Sequence, residues 1–149
     1  MKIAIASDHA GFPLKQALLR FFTQEKIQFQ DLGVDEVKSV DYPDFAALVS
    51  EAVSSGKVDS GILVCGTGLG MSIAANKFKG IRAVTVGDVY SARMAKEHND
   101  ANVLSLGART LDPSKAVRLV KAWLKASYKG GRHQNRLDKI TEIENKNLK

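Results

Sequence analysis

The residues best suited to chemistry lie in one stretch, residues 61–77, which reads GILVCGTGLGMSIAANK. At its centre stands the single cysteine of the chain, Cys65, followed by three glycines within positions 66–70. An apolar run precedes the cysteine and a helical pattern follows the glycines, which predicts a strand, a glycine loop and a helix. Such a loop directs backbone N–H groups at one point, which favours an anion or developing negative charge. A thiolate there would be stabilised and could act as a base or nucleophile near neutral pH.

Two better-known glycine motifs do not fit this stretch. The dinucleotide fingerprint needs a third glycine where Met71 stands, or where Ile73 stands if the count begins at Gly68. A P-loop needs a lysine where Thr67 stands. The residues alone leave two plainer interpretations open. The loop is then a tight strand-to-helix turn without chemistry, and the cysteine is a small buried hydrophobe.

Polar side chains also follow other predicted strands. They are Asp8 and His9 after the first strand, Cys65 and Thr67 after the third, Asp88 after the fourth and Arg109 after the fifth. Ligands of an open parallel sheet bind beyond the carboxyl ends of its strands, so these side chains are candidates for one site. Structural roles stay open, with His9 as a capping partner and Asp88 as a helix N-cap.

Four further candidates lie elsewhere in the sequence. His98 and Asn99 end the fourth predicted helix, at the opposite edge of a simple doubly wound sheet, and would reach the strand ends only on a neighbouring subunit. The alternative for His98 is a helix C-terminal residue favoured by the helix dipole. Arg132 and Arg136 are four apart and share one helix face, which suits a bidentate phosphate clamp. A solvated basic face is the alternative for this pair.

Apolar periodicity predicts five strands that alternate with helices in a single domain, 1–149. The predicted strands cover residues 2–7, 27–32, 62–64, 81–86 and 103–106. This alternation predicts right-handed βαβ units and an open parallel sheet. A last helix, over about 132–146, has only a thin apolar stripe at Leu137, Ile140 and Ile143, so we expect it to pack on another surface. A second subunit is one host, and its own domain is the alternative.

Composition and charge exclude several function classes. No apolar run approaches the roughly 20 residues that span a bilayer, and the N-terminus becomes polar too early for a signal peptide. A single cysteine favours a reducing cytoplasm. The three histidines are far apart, so we expect no metal and no cofactor. The net charge of +6 lies wholly in residues 111–149. Because aromatic residues are nearly absent there, we expect a small anionic substrate and neither nucleic acid nor membrane.

Six segments taken together identify a family. They are SDHAG at 7–11, DYPD at 41–44, CGTGLGMSIAANK at 65–77, GIRA at 80–83, EHNDANVLSLGAR at 97–109 and GGRHQNR at 130–136. In this order and spacing they resemble ribose-5-phosphate isomerase B, whose family includes the galactose-6-phosphate isomerase subunits. The resemblance implies an α/β fold, a Rossmann-like αβα sandwich with a five-stranded parallel sheet. It also implies a homodimer, or a dimer of dimers, with interfacial active sites and metal-free aldose–ketose isomerisation.

The resemblance further implies roles for single residues. Cys65 matches the proton-abstracting base, and Met71 stands where other members of the family carry a glutamate base, which places the chain in the cysteine branch. His98 matches the group that helps to open the sugar ring, and Thr67 either relays a proton or holds a hydroxyl. The implied substrate-binding residues are Asp8, His9, Gly66, Thr67, Gly68, Leu69, Gly70, Asn99, Arg109, Arg132 and Arg136. One subunit is expected to give Asp8, His9, Cys65 and the glycine loop, and the other His98, Asn99, Arg109, Arg132 and Arg136.

This set of groups suits proton transfer through an enediolate. Cys65 would remove a proton next to a carbonyl, the N–H groups of 66–70 would hold the negative oxygens, and the arginines would hold the phosphate. Ribose 5-phosphate, interconverted with ribulose 5-phosphate in the pentose phosphate pathway, is the first choice of substrate. Six-carbon phosphates such as allose or galactose 6-phosphate are the alternative. A non-catalytic phosphosugar sensor, which would not need Cys65, is an alternative of another class.

Overall fold

A computed structural model describes residues 1–148, in which strands and helices alternate from the N-terminus. The strands are β1 (Lys2–Ser7), β2 (Gln28–Asp31), β3 (Ser60–Cys65), β4 (Ala83–Thr85) and β5 (Val103–Gly107). The helices are α1 (Phe12–Gln24), α2 (Tyr42–Ser54), α3 (Leu69–Ala75), α4 (Val89–Glu97), α5 (Pro113–Lys125) and α6 (Arg132–Asn147). The predicted α/β architecture with one parallel five-stranded sheet is confirmed.

The strands do not follow one another across the sheet in a simple order. Their spatial order is β2-β1-β3-β5-β4, and every neighbouring pair is parallel. Because β5 lies between β3 and β4, the chain first crosses to the edge of the sheet and then returns to fill the gap. In register, Ser105 of β5 lies between Leu63 of β3 and Thr85 of β4.

Strand β4, Ala83–Thr85, is shorter than the predicted 81–86, and two asparagine side chains bond the backbone at its beginning. Asn76 bonds Ala83 in both directions: its Nδ2 donates to the carbonyl and its Oδ1 accepts the N–H, each at 2.8 Å. The N–H of Arg82 donates to Asn102 Oδ1 at 2.8 Å. Periodicity cannot show such bonds, because Asn76 and Asn102 lie 7 and 20 residues from their partners and outside the strand.

Helices cover both faces of the sheet. On one face α1, α4 and α5 pack on the larger side chains of the strands, such as Ile5, Ile62 and Leu104. On the other face α2 and α3 lie close over small residues, among them Ala4 and Ala6 of β1. Strand β3 is buried along its whole length, as its continuous apolar run predicts. It therefore delivers Cys65 to a fixed place at the edge of the core.

The β1–α1 turn lies against the end of β3. A Cβ on Gly11 would overlap the carbonyl of Val64, so this approach requires glycine. Gly11 N–H donates to Asp8 Oδ1 at 2.9 Å, and Asp8 N–H donates to the Val64 carbonyl at 3.2 Å. The turn thereby holds Asp8 beside the residue that precedes Cys65.

Helix α6 is only partly packed on its own domain. Its buried residues are His133 and Leu137, and Glu144 Oε1 accepts the N–H of Gly80 at 2.9 Å. Ile140 and Ile143, the remaining members of the predicted apolar stripe, are 48% and 62% exposed. The contact of this helix with a second subunit stays a prediction. Within residues 1–148 no helix is both long and apolar enough to cross a bilayer.

Candidate active site

A pocket of about 330 Å³ opens beside Cys65 at the carboxyl ends of the strands. It is lined by Asp8, Tyr42, Cys65, Gly66, Thr67, Gly70 and Arg109. Its size falls in the range of small-molecule sites, and its walls combine a thiol, a carboxylate and a guanidinium. A larger depression, of about 530 Å³, lies on the outer face of α1 between Gln16 and Gln24. Its lining carries no thiol, carboxylate or imidazole, so the pocket at Cys65 is the candidate site.

The glycine loop places a backbone donor on the thiol. Cys65 is only 5% exposed, and Gly68 N–H donates to its Sγ at 3.1 Å. A hydrogen bond of this kind is stronger to a negative sulfur than to a neutral one. Gly68 has a φ of +80°, in the region that favours glycine, and α3 begins directly after it. The local sequence thus builds the donor geometry that the cysteine and glycines predicted.

Two other glycines of the loop make room for pocket side chains. A Cβ on Gly66 would lie 2.9 Å from Arg109 Nη1, and one on Gly70 would lie 2.5 Å from the ring of Tyr42. Arg109 therefore lies directly against Gly66, and Tyr42 lies directly against Gly70. The absence of side chains at 66 and 70 allows both to reach the pocket.

The backbone after β5 is tied to the same loop. Ala108 N–H donates to the Cys65 carbonyl at 2.8 Å, and Arg109 N–H donates to the Gly66 carbonyl at 2.9 Å. These bonds bring Arg109 to the Cys65 pocket of its own chain. The expectation that Arg109 comes from the opposite subunit is therefore wrong, because the position of β5 next to β3 carries this residue to the thiol.

His9 lies next to the pocket with one ring nitrogen occupied. Its Nδ1 accepts the N–H of Val40 at 3.3 Å, which ties the β2–α2 loop to the β1–α1 turn. A neutral ring with Nδ1 as acceptor carries its proton on Nε2, which is then a donor. Leu69, in contrast, is 58% exposed and lies outside the pocket lining.

The remaining predicted site residues gather in a second cluster, which includes His98, His133, Arg132 and Arg136. His98 follows α4 and stacks on His133 of α6, with ring centroids 4.2 Å apart. Asn99 accepts from Arg82 Nε through its backbone carbonyl at 3.1 Å. None of these residues lines the Cys65 pocket of the same chain. The end of α4 lies at the opposite edge of the sheet, as the sequence predicted.

Positive charge dominates this second cluster. Burial, together with the neighbouring His98, Arg132, Arg136 and Lys129, holds the pKa of His133 below its usual value. Lys129 Nζ donates to Glu97 Oε2 at 3.0 Å, and this bond keeps the pKa of the Glu97 carboxyl low. The cluster therefore disfavours the protonated form of His133 among neighbouring cations, and these cations favour a dianionic group such as a phosphate.

Asp88 has the structural role that the sequence left open. Its side chain accepts the N–H of Ser91 at 2.7 Å and caps α4. That bond, followed by one from the Ser91 hydroxyl, lowers the pKa of the carboxyl. Asp88 is thus an N-cap and does not line the pocket. Among residues 1–148, no group of three or more His, Cys, Asp and Glu side chains is arranged to hold a metal ion.

The model of the ribose/galactose isomerase family matches residues 3–140 of the chain. The chain belongs to this family. Ribose-5-phosphate isomerase B of Escherichia coli is 48% identical over 143 residues, which is 96% of this chain and 96% of that protein.

Solved structures of this isomerase family have the same fold. Ribose-5-phosphate isomerase B of Clostridium thermocellum superposes with a TM-score of 0.97 at 52% identity, over 98% of this chain and 99% of the other. The enzyme of Mycoplasma genitalium, solved with bound ribulose 5-phosphate, has a TM-score of 0.92 at 42% identity, over 97% and 96%. These relatives confirm the predicted family.

Two residues that the structure places at the pocket or in the second cluster were not predicted from the sequence. Tyr42 begins α2 and lines the pocket, whereas no site residue was predicted in its DYPD segment. His133 is buried against His98, although it lies between the two arginines of the predicted clamp. The signal available in the sequence was that His133 is the histidine next to Arg132 in a turn that is otherwise basic.

Proposed function

We propose that this chain is a ribose-5-phosphate isomerase, which interconverts ribose 5-phosphate and ribulose 5-phosphate. The observation that carries the proposal is the Cys65 thiol, held at 3.1 Å by Gly68 N–H inside a pocket of sugar-phosphate size. The family supports the reaction class, and the named substrates of the E. coli and M. genitalium relatives support the substrate.

Proton transfer next to a carbonyl is the chemical step. The Cys65 thiolate takes the proton from C2 of the open-chain aldose, and the C–H electron pair forms a C1–C2 double bond. The carbonyl oxygen thereby becomes negative, and the loop N–H groups and the Thr67 hydroxyl stabilise it. A proton then passes from the C2 hydroxyl to the negative C1 oxygen, and the thiol returns its proton to C1. These two transfers leave a ketone at C2 and a hydroxyl on C1. Cytosolic thiols are kept reduced, which suits a cysteine base, so we place the reaction in the cytoplasm.

A second copy of the chain completes the site in this proposal. His98 would assist ring opening, Asn99 would bind a sugar hydroxyl, and Arg132 and Arg136 would hold the phosphate in the pocket of a partner subunit. Their separation from the Cys65 pocket within one chain supports a homodimer, or a dimer of dimers. Exposed apolar side chains support it as well, namely Leu69, Ile73, Ile140 and Ile143.

Turnover of a panel of aldose phosphates tests the proposal. We expect the highest kcat/KM with ribose 5-phosphate, and lower values with allose and galactose 6-phosphates, which place one more carbon between phosphate and reacting centre. We also expect a chelator to leave the rate unchanged. Preference for a six-carbon phosphate would overturn the substrate assignment.

Solvent exchange separates an enzyme from a phosphosugar sensor. In heavy water, deuterium should enter the carbon next to the carbonyl, because the proton carried by Cys65 exchanges with solvent between its two transfers. Proton NMR of the sugar follows the loss of signal. A sugar phosphate that binds to the protein but gains no label would favour the sensor and overturn the isomerase.

A further inference from the structure

The carbonyl oxygen of Gly68 accepts three hydrogen bonds. The Ser105 hydroxyl donates to it at 2.6 Å, the Thr85 hydroxyl at 3.0 Å and the N–H of Ser72 at 3.2 Å. The N–H of Ser72 belongs to the first turn after the loop, whereas the two hydroxyls reach in from the sheet. A carbonyl oxygen has two lone pairs, so a third donor exceeds its ordinary complement. This peptide group is therefore fixed more strongly than a turn requires.

The sheet places both hydroxyls under the loop. Ser105 and Thr85 are register partners on β5 and β4, so their side chains leave the same face of the sheet side by side. Ser105 is fully buried among apolar residues of that layer, where an unpaired hydroxyl would be unfavourable. A Cβ on Gly68 would lie 3.0 Å from Thr85 Cγ2, so the glycine packs closely on the strand.

The bonded carbonyl is connected to two groups of the pocket. On one side, the N–H of Gly68 itself donates to Cys65 Sγ at 3.1 Å. On the other side, the Gly68–Leu69 peptide group presents the N–H of Leu69, which donates to Thr67 Oγ1 at 3.3 Å. Thr67 lines the pocket. Since its oxygen already accepts a bond, its own proton is left to be donated into the pocket.

We propose that Ser105 and Thr85 are positioning residues for the isomerisation, a role that rests on the proposed function. They hold the Gly68–Leu69 peptide group so that Gly68 N–H stays on the thiol and Leu69 N–H orients the Thr67 hydroxyl. Hydrogen bonds in series polarise one another, so donors on the Gly68 oxygen strengthen the Leu69 N–H and, through it, the Thr67 O–H. The Thr67 hydroxyl then stabilises more strongly the oxygen that becomes negative in the enediolate.

Hydroxyl deletions test this role. Thr85→Val and Ser105→Ala remove the donors with little change in shape, and Thr85→Ser restores one of them. Removing a direct oxyanion donor costs about 10²–10³ in kcat, so an indirect one should cost about 10-fold. We expect the double variant to lose about 100-fold in kcat while KM stays within about twofold. Ser50→Ala is the matched control, because this buried hydroxyl has no hydrogen-bond partner in the described residues.

Two ligands distinguish charge stabilisation from general loosening. The hydroxamate of 4-phosphoerythronic acid imitates the enediolate and its negative oxygen, whereas ribitol 5-phosphate is a neutral polyol at the same positions. The double variant should bind the hydroxamate at least about 10-fold more weakly and ribitol 5-phosphate nearly as well as the wild type. In a Thr67→Val background the same two substitutions should lower kcat by less, because the hydroxyl they orient is gone.

The outcomes separate this inference from the function on which it rests. A wild-type protein that turns over none of the sugar phosphates would overturn the isomerase and this role together. If the wild type is active and the double variant keeps full kcat and hydroxamate affinity, this role alone is overturned. Equal losses for both ligands, or a Thr85→Ser variant as slow as Thr85→Val, would also overturn it. Thermal unfolding of each variant shows that the compared proteins are folded.

Discussion

The imidazole rings of His98 and His133 are stacked, with centroids 4.2 Å apart and planes inclined by 16°. His98 closes α4 and His133 lies in the first turn of α6, so the stack joins two helices that are distant in sequence. Two charged imidazoles would repel each other at this separation, and His133 is also buried. Folding and proton binding are therefore coupled at His133.

Acid should weaken the protein through His133. The pKa of His133 is held below its unfolded value of 6.5 by burial, and further by the charges of His98, Arg132, Arg136 and Lys129. Between the folded and unfolded pKa values the unfolded chain binds more protons, so stability falls as the pH falls. We expect full stability above about pH 6.5 and a lower Tm near pH 5. Thermal unfolding across this range should show a smaller decline for His133→Gln; an identical decline would contradict the coupling.

Cys65→Ala should retain the fold and lower kcat by about 10²–10⁴-fold, the usual contribution of a positioned proton-transfer group. The physical reason is the position of the thiol at the head of the pocket with a backbone donor on its sulfur. Steady-state turnover of ribose 5-phosphate measures the loss. An alkylating agent should inactivate the wild type, and bound sugar phosphate should slow that inactivation. Near-normal turnover by the alanine variant would show that another group is the base.

Gly70→Ala should separate stability from activity. Alanine is favoured over glycine inside a helix by about 0.5–1 kcal/mol, so Tm should stay level or rise. The added methyl would lie 2.5 Å from the Tyr42 ring, which is 40% exposed and free to swing outward. A displaced pocket wall should lower kcat/KM by about 10-fold. Adding Gly70→Ala to Tyr42→Ala should then have little further effect, and additive losses would contradict the contact.

Local patterns predicted the elements of this fold well. The first strand was predicted at 2–7 and β1 is Lys2–Ser7, and the buried run at 62–64 lies in the middle of β3. These features depend on neighbours in sequence, namely alternation, continuous apolar runs and turn residues. The order of strands depends instead on which edges meet, so the insertion of β5 between β3 and β4 had no local signal.

The site residues show the same difference between local features, which the sequence predicts, and long-range contacts, which it does not. Cys65 and the glycine loop act through backbone groups a few residues away, so their spacing predicted backbone N–H donors near the thiol, and Gly68 N–H is such a donor. Arg109 was assigned to the wrong side because its position follows from the strand order. The sequence offers no signal for Ser105, because the Gly68 oxygen that accepts its hydroxyl hydrogen bond is 37 residues away.

Lys15→Met should destabilise the protein by about 2–3 kcal/mol. The ammonium of Lys15 is fully buried and donates to Asp31 Oδ1 at 2.7 Å and to the Val34 carbonyl at 2.6 Å. Methionine fills the volume but leaves both acceptors without their charged donor. Denaturant unfolding measures the change, with the exposed lysine in Lys57→Met as the control. Equal midpoints for the two variants would show that the buried pair contributes nothing.

Subunit mixing tests whether two chains share each active site. Arg132 and Arg136 lie away from the Cys65 pocket of their own chain, so we expect them to bind phosphate in the pocket of a partner. Loss of one arginine–phosphate contact should cost about 1.5–3 kcal/mol, or roughly 10- to 150-fold in KM. We expect a Cys65→Ala subunit and an Arg132→Ala/Arg136→Ala subunit each to have little activity as homodimers. A mixed dimer of the two has one site with both lesions and one with neither.

Random exchange makes half of the dimers mixed, so activity should return to about a quarter of the wild-type value. The matched control mixes Cys65→Ala with Arg109→Ala. Because Arg109 lines the pocket of its own chain, every site in that mixed dimer carries one lesion and no recovery is expected. Native mass spectrometry verifies the exchange in both experiments. Recovery in the control, or no recovery with the α6 variant despite complete exchange, would show that the site is divided between the chains in another way.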